Sequence, residues 1–491
     1  MKTTYDREHH PKHDQKAGIE MTRRTKIVAT LGPATRNPEI LAGVIKVGAD
    51  VFRLNFSHGT RESHAELIAI ARDAAERVGR DVGLLGDLPG PKIRLGDIEG
   101  DVLQLRHGQS LVLTTARSVS RPDAIPVAWS GLPQAVSAND VIYLADGSIR
   151  LRVRETDGDE VLTKVETGGT VTSHQGLNLP GADAVPSSIG EADFDWIDFC
   201  CEQGVDLIAV SFVRTPADLE AVYARLAERG ADIPVIAKIE KREAVDAAEE
   251  IVNAATGGIM VARGDLGIEL PIETIPNVQK RLLKIAGHNA KPSITATQML
   301  ASMVRSTRPT RAEATDVANA IYDGTDALML SEETAVGQHP VKAVQMMARI
   351  AEETEKELPY GDWLVHRSRR VGDVADTVSY GAVVSAYQLG LAALVIPTRS
   401  GRTARLVSAN RPSMPVLALS PRRDTARRLK LLFGVVSAFN EEGESLDDLL
   451  ASCAELAKKE GLAKSGDLIG ITAGLQDQGL GTNLFEVHRV P

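Results

Sequence analysis

The sequence predicts an α/β chain built on a (β/α)8 TIM barrel, with a small inserted β-barrel lid domain and a C-terminal open α/β domain. Eight short runs rich in Val, Ile and Leu, at 26–31, 51–55, 82–87, 207–212, 234–239, 259–262, 292–297 and 327–330, are separated by stretches with helical spacing such as 60–78 and 218–229. Continuous rather than alternating hydrophobicity belongs to strands covered on both faces, which is the barrel's condition. One interval, between 87 and 207, is far longer than a normal strand-to-strand crossover, so a unit has been inserted there. After residue 360 strand and helix patterns resume and give the third unit.

Taken in order, residues 1–22 are polar and lack the apolar core of a signal peptide, so a disordered arm is expected, with His9, His10 and His13 part of that tail. The barrel is expected at 23–89 and 186–357, with its chemistry at the C-terminal ends of the strands. The insertion is expected at 90–185. Its runs at 141–144, 149–153 and 161–165 are punctuated by Asp146-Gly147 and Asp157-Gly158, which mark hairpins. Because it grows from a strand's C-terminal end, it hangs over the barrel mouth as a water-excluding lid. The last unit, 358–491, is expected to hold a helix near 375–389 and strands at 393–397, 416–419, 435–439 and 468–472.

Composition narrows the function. A chain of 491 residues exceeds one ordinary core. Its formal net charge is -10 with basic residues spread along it, so the footprint for a nucleic-acid backbone is missing. No apolar run is long enough to span a bilayer. Three cysteines, Cys200, Cys201 and Cys453, are too few for a disulfide framework, and a reducing cytoplasm fits.

The barrel carries one informative constellation. Lys238 and Glu240 stand two apart on a strand and therefore share a face, while Asp265 arrives at the end of the next run. A cation and two carboxylates can hold a divalent metal and neutralise a charged substrate. On their own they equally describe a structural ion-pair network inside a barrel.

Seven motifs then follow in order: KIVATLGPAT at 26–35, RLNFSHG at 53–59, GLNLPG at 176–181, AKIE at 237–240, MVARGDLG at 260–267, ATQML at 296–300 and DGTD at 323–326. Together they resemble the pyruvate kinase family from residue 25 to the C-terminus. That resemblance implies phosphoryl transfer from phosphoenolpyruvate to ADP, giving pyruvate and ATP, in glycolysis. It implies that Arg53 contacts the phosphoryl group, that Glu240 and Asp265 hold Mg2+ or Mn2+, and that Lys238 stabilises the transition state. Thr297 matches the threonine associated with protonating the enolate, by way of a water relay, although a hydroxyl at that point also suits a helix cap. Gly264 matches the approach of the substrate carboxylate to a helix start. Arg53, Lys238, Gly264, Asp265 and Thr297 are thus the substrate set, with Asn55 and Arg94 on the nucleotide side.

The departures matter as well. Asn55, Ser57 and Asp87 match ligands of the K+ that many members need, but Lys92 in GPKIR stands where K+-requiring members have glutamate, and Leu88 and Leu95 where they have threonine. An ammonium there replaces the monovalent charge, so K+ is not expected to be required. Gln175 stands where a lysine often reaches ADP, and Glu332 replaces a usual glycine. Thr398, Arg399, Ser400, Gly401, Arg402 and Thr403 resemble the family's pocket for allosteric phosphates such as sugar phosphates or AMP, and N-capping explains their hydroxyls nearly as well. A homotetramer is expected on the same resemblance. Two other readings of the barrel residues stand beside this one: a pyruvate-class aldolase or lyase using either Lys238 as a Schiff-base amine or Glu240 and Asp265 as a metal site, or a phosphometabolite-binding paralogue without catalysis, whose mark, loss of Lys238, Glu240, Asp265 or Thr297, is not seen.

Overall fold

In the computed structural model, the described residues are 23–116, 121, 123–145, 147–181, 189–366, 373–441, 446–474 and 481–491. The arm expected at 1–22, with its three histidines, and Asp146 of the first hairpin turn lie outside them.

Eight parallel strands close into the barrel. In chain order the first three are β1 (Lys26–Thr30), β2 (Val51–Asn55) and β3 (Gly83–Asp87). The insertion follows with β4 (Val102–Leu105), β5 (Ser110–Thr114), β6 (Ala124–Pro126), β7 (Val141–Leu144), β8 (Ile149–Asp157), β9 (Glu160–Thr167), β10 (Gly169–Thr172) and β11 (Leu177–Asn178). The barrel resumes with β12 (Leu207–Val210), β13 (Val235–Ile239), β14 (Gly258–Ala262), β15 (Ser293–Ala296) and β16 (Ala327–Leu330). Around the barrel the order is β1, β16, β15, β14, β13, β12, β3, β2, so β3 pairs with β12 across the insertion.

Strand alternation sorts the barrel side chains into two sets. Outward residues such as Phe52, Leu84, Ala237 and Ile239 join the large core under the helices. Inward residues Val28, Val51, Leu85, Leu207, Ala209, Ile236, Met260 and Ile294 fill the lower barrel, and Leu431 from the C-terminal unit enters the same cluster. One step up β1, β2, β3 and β13 the inward position turns polar: Thr30, Arg53, Asp87 and Lys238. The change from apolar to charged tier positions the site.

The insertion's strands form a six-stranded sheet, in the order β11, β7, β8, β9, β5, β6, and a two-stranded sheet of β10 and β4, around their own core. Asp157 pairs with Glu160, leaving Gly158 and Asp159 as the loop of the expected second hairpin, and Gly158 takes the positive φ of 53° that such loops demand. Leu95 is fully buried in this core and Leu88 in the barrel's, so each has a packing role of its own.

The C-terminal sheet contains β17 (Ala393–Pro397), β18 (Val416–Ser420), β19 (Val435–Phe439), β20 (Leu468–Ala473) and β21 (Leu484–Arg489), ordered β19, β18, β17, β20, β21. Its four parallel strands coincide with the runs expected from sequence. The antiparallel edge strand β21 was not anticipated, because LFEVHR mixes charge into a short run. The unit packs on the N-terminal ends of the barrel strands, where Arg427 pairs with Asp206 at 2.7 Å, Arg411 with Asp326 at 2.9 Å, and Lys26 donates to the Val435 carbonyl at 2.8 Å.

Candidate active site

The charged tier is assembled by register. Asn55 lies beside Asp87 across β2 and β3, Asp87 beside Ala209, and Val210 beside Ala237, which brings Arg53, Asp87 and Lys238 round one arc of the barrel. Arg53 Nε donates to Asp87 Oδ2 at 2.7 Å and its Nη1 to Thr30 Oγ1 at 3.1 Å. Lys238 Nζ donates to Ser211 Oγ at 2.7 Å and lies 3.3 Å from Asp87 Oδ1 and 3.1 Å from Glu240 Oε1.

Electrostatics follow from this packing. Burial disfavours the Lys238 ammonium, but Asp87 and Glu240 outweigh it and hold the group above the ordinary lysine range. Burial also opposes the charge on Asp87, and Lys238 with Arg53 keeps its carboxyl below the usual value. Glu240 differs: burial pushes it up to about 7 against the pull of Lys238, with Asp265 and Asp87 adding repulsion.

Glu240 Oε2 is buried with no partner, and Glu240 Oε1 and Asp87 Oδ1 face only the Lys238 ammonium, at 3.1 and 3.3 Å. Orphaned hard oxygens beside a second carboxylate, Asp265, are what a divalent cation would satisfy. Among the described residues no group of three or more His, Cys, Asp or Glu side chains is arranged to hold a metal. Two protein carboxylates with remaining positions left to substrate and water accord with Mg2+, which keeps several such ligands.

Thr297 sits one residue beyond β15 at φ 70°, followed by Gln298 at φ 54°. A β-branched residue there is strained by about 1–3 kcal/mol. Arg263 holds the bend: its Nη2 donates to the Thr297 carbonyl at 2.9 Å, while both terminal nitrogens grip Asp316 at 2.7 Å. The bend turns Thr297 Oγ1 to accept from the Gly264 amide at 2.8 Å and donate to the Ala296 carbonyl at 2.7 Å. Thr297 is not itself the N-cap of a helix; its hydroxyl satisfies an amide in the first turn of the helix Arg263–Glu269, which follows the neighbouring strand β14.

Of the remaining expected residues, Asn55 lies beside Asp87 in the tier, and the others lie around the lid's stem and in the later loops. Asn55 Oδ1 accepts from the Ser57 amide at 3.3 Å at the top of β2. Lys92 lines a cleft with Pro91, Leu177, Arg214 and Lys241, a set that contains none of Asn55, Ser57 and Asp87. Its side chain crosses Gly176 so closely that a Cβ there would lie 2.4 Å from Lys92 Cε, which accounts for that glycine. Arg94 donates to the His174 carbonyl at 3.1 Å, and Gln175 Oε1 accepts from the Thr172 amide at 3.0 Å, both at the lid's stem. Glu332 is exposed in the first turn of the short helix Glu332–Ala335, where a negative charge is favoured.

In the C-terminal loop, Thr398 Oγ1 accepts from the Gly401 amide at 2.9 Å and Gly401 has φ 80°. Arg402 pairs with Asp373, and the Thr403 hydroxyl meets that of Thr482. Sequence reasoning missed Ser211, Thr30 and the Arg263–Asp316 clamp. Strand alternation marks the first two, since each stands on the inward face one step above the apolar tier.

Comparison with known proteins bears on the same residues. Residues 22–344 match the family described as pyruvate kinase, barrel domain, and 376–488 that described as pyruvate kinase, alpha/beta domain. A pyruvate kinase of Bacillus licheniformis is 43% identical over 472 residues, covering 95% of this chain and 80% of the relative. One from Thermococcus litoralis is 43% identical over 477 residues, covering 96% and 99%, and one from Thermotoga maritima 39% identical over 468 residues, covering 95% and 100%.

Proposed function

The chain belongs to the pyruvate kinase family, a phosphotransferase acting on phosphoenolpyruvate and ADP, and we propose that it works through the charged tier at the barrel mouth. The observation that carries this reading is Lys238 fixed between Ser211, Asp87 and Glu240, with Glu240 Oε2 buried and unpartnered beside it. Family membership also displaces the aldolase and binding-only readings.

Phosphoryl transfer spreads negative charge over the moving oxygens and asks for positioned positive charge. Arg53, held by Asp87 and Thr30, presents its guanidinium to the phosphoryl group. Glu240 and Asp265 would hold the divalent ion, Mg2+ or Mn2+, which would supply Lewis-acid neutralisation of the substrate's charge. As the terminal ADP oxygen bonds to phosphorus, the bond to the enol oxygen breaks and its electron pair stays on the enolate, where the Lys238 ammonium offsets it. Carbon then takes a proton from a relay water oriented by Thr297, whose hydroxyl turns from the Ala296 carbonyl to do so. The substrate carboxylate competes with Thr297 for the Gly264 amide, and Asn55 and Arg94 serve the nucleotide side.

Activity is expected without K+. Both oxygens of Asp87 already face cations, Arg53 at 2.7 Å and Lys238 at 3.3 Å, and Lys92 replaces the usual glutamate nearby in sequence. Steady-state turnover at saturating substrates and constant ionic strength should agree within about twofold with K+ or a bulky inert cation, less than one charge contact is worth. Abolished turnover without K+ would sink this reading.

The loop 398–403 is proposed as an effector site for phosphorylated metabolites, on the grouping of hydroxyls, amides and Arg402 at a helix start. Titrating sugar phosphates and AMP should shift the half-saturating phosphoenolpyruvate concentration. A half-saturation point unmoved by any of them removes the proposal.

A further inference from the structure

Below the catalytic tier, on the face where the C-terminal unit meets the barrel, lies a small pocket open to solvent and lined by Lys291, Asp326, Arg405, Ser408 and Arg411 among others. Its charge is unbalanced. Asp326 is fully engaged: one oxygen takes Arg411 Nη1 at 2.9 Å and the Phe433 amide, the other the amide and hydroxyl of Ser293. Lys291 Nζ donates to the carbonyls of Ala255 at 2.6 Å and Asn253 at 3.2 Å, leaving one of an ammonium's three donors. Among the described residues the Arg405 guanidinium has no hydrogen-bonded or ionic partner, and the charged groups acting on these two are cations, Arg402 on Arg405 and Arg405 on Lys291. Arg411 is 1% exposed, and its Nε is buried with no acceptor. Part-buried cations with unused donors gathered at one pocket are costly unless an anion joins them.

We propose that this pocket is a second anion site, distinct from the 398–403 loop, which takes a small oxyanion of the phosphate or carboxylate class between Lys291 and Arg405. Its position gives it a consequence. Lys291 lies just before β15, the strand that ends at Thr297, while Arg405 belongs to the helix Arg402–Ala409 that the 398–403 loop begins. An oxyanion here ties the effector-like helix to the strand carrying the proton-relay threonine.

The test compares thermal unfolding of the full-length chain in chloride with that in inorganic phosphate or malonate at equal ionic strength. Wild type should gain stability in one of the two anions, and which one assigns the phosphate or carboxylate class. Arg402→Gln, which alters the loop, should keep that gain; Arg405→Gln should lose most of it and bind the anion about tenfold more weakly, the loss of one charge-assisted contact. In chloride alone Arg405→Gln should unfold no earlier than wild type, since it removes an unpaired charge, and Arg405→Lys should fall between the two in anion response. No gain in wild type, or an equal gain in wild type and Arg405→Gln, overturns the site.

Discussion

Replacing Lys238 with methionine lowers turnover by on the order of 100- to 1000-fold, the usual effect of removing one preorganised charge from where charge develops. The ammonium is tied by a 2.7 Å bond to Ser211 and flanked by two carboxylates, so its position is fixed before substrate arrives. That fixing makes its effect fall on kcat more than on the phosphoenolpyruvate KM, because the charge it offsets is largest after the phosphorus–oxygen bond breaks. The methionine fills the same shaft, and Asp87 keeps its 2.7 Å bond to Arg53, so the barrel stays closed. Steady-state kinetics with a circular-dichroism check of folding decide it. A variant within a few-fold of wild type in kcat removes Lys238 from the reaction.

Glu240→Gln should raise the half-saturating Mg2+ concentration and lower turnover, each by on the order of 10- to 100-fold. The variant is expected to be no less stable than wild type in the absence of divalent ions. The sign follows from burial, which lifts the folded-state carboxyl of Glu240 to about 7. A raised carboxyl destabilises the fold where the unfolded chain is ionised, above the ordinary carboxylate range, and the neutral amide lacks that penalty. Magnesium titration of activity and metal-free unfolding at pH 8 check the two halves separately. An unchanged Mg2+ requirement would show that the orphaned oxygens serve some other purpose.

Much of this was legible in the sequence because period-two alternation is unambiguous in a barrel strand. Lys238 and Glu240 had to share the inward face, and Arg53 and Asp87 follow the same rule on β2 and β3. Which cation meets which carboxylate was not legible, since it depends on strand register across an insertion: β3 finds β12 only after the whole lid has been passed. The positive φ of Thr297 and Gln298 escaped notice for a related reason. Local sequence favours neither residue there, and the conformation is imposed by Arg263 reaching across from the preceding strand. The sequence GPKIR likewise does not say that the Lys92 side chain passes over Gly176 into the lid cleft.

The measurement that reaches furthest is pyruvate formation from phosphoenolpyruvate and ADP by the purified full-length chain, followed as Mg2+ is raised from a chelated start. The charged tier predicts no turnover in chelator, saturation with Mg2+, and collapse of the saturated rate in Lys238→Met. Pyruvate formed at the same rate in chelator, or none formed by folded wild-type protein at saturating Mg2+, would contradict it.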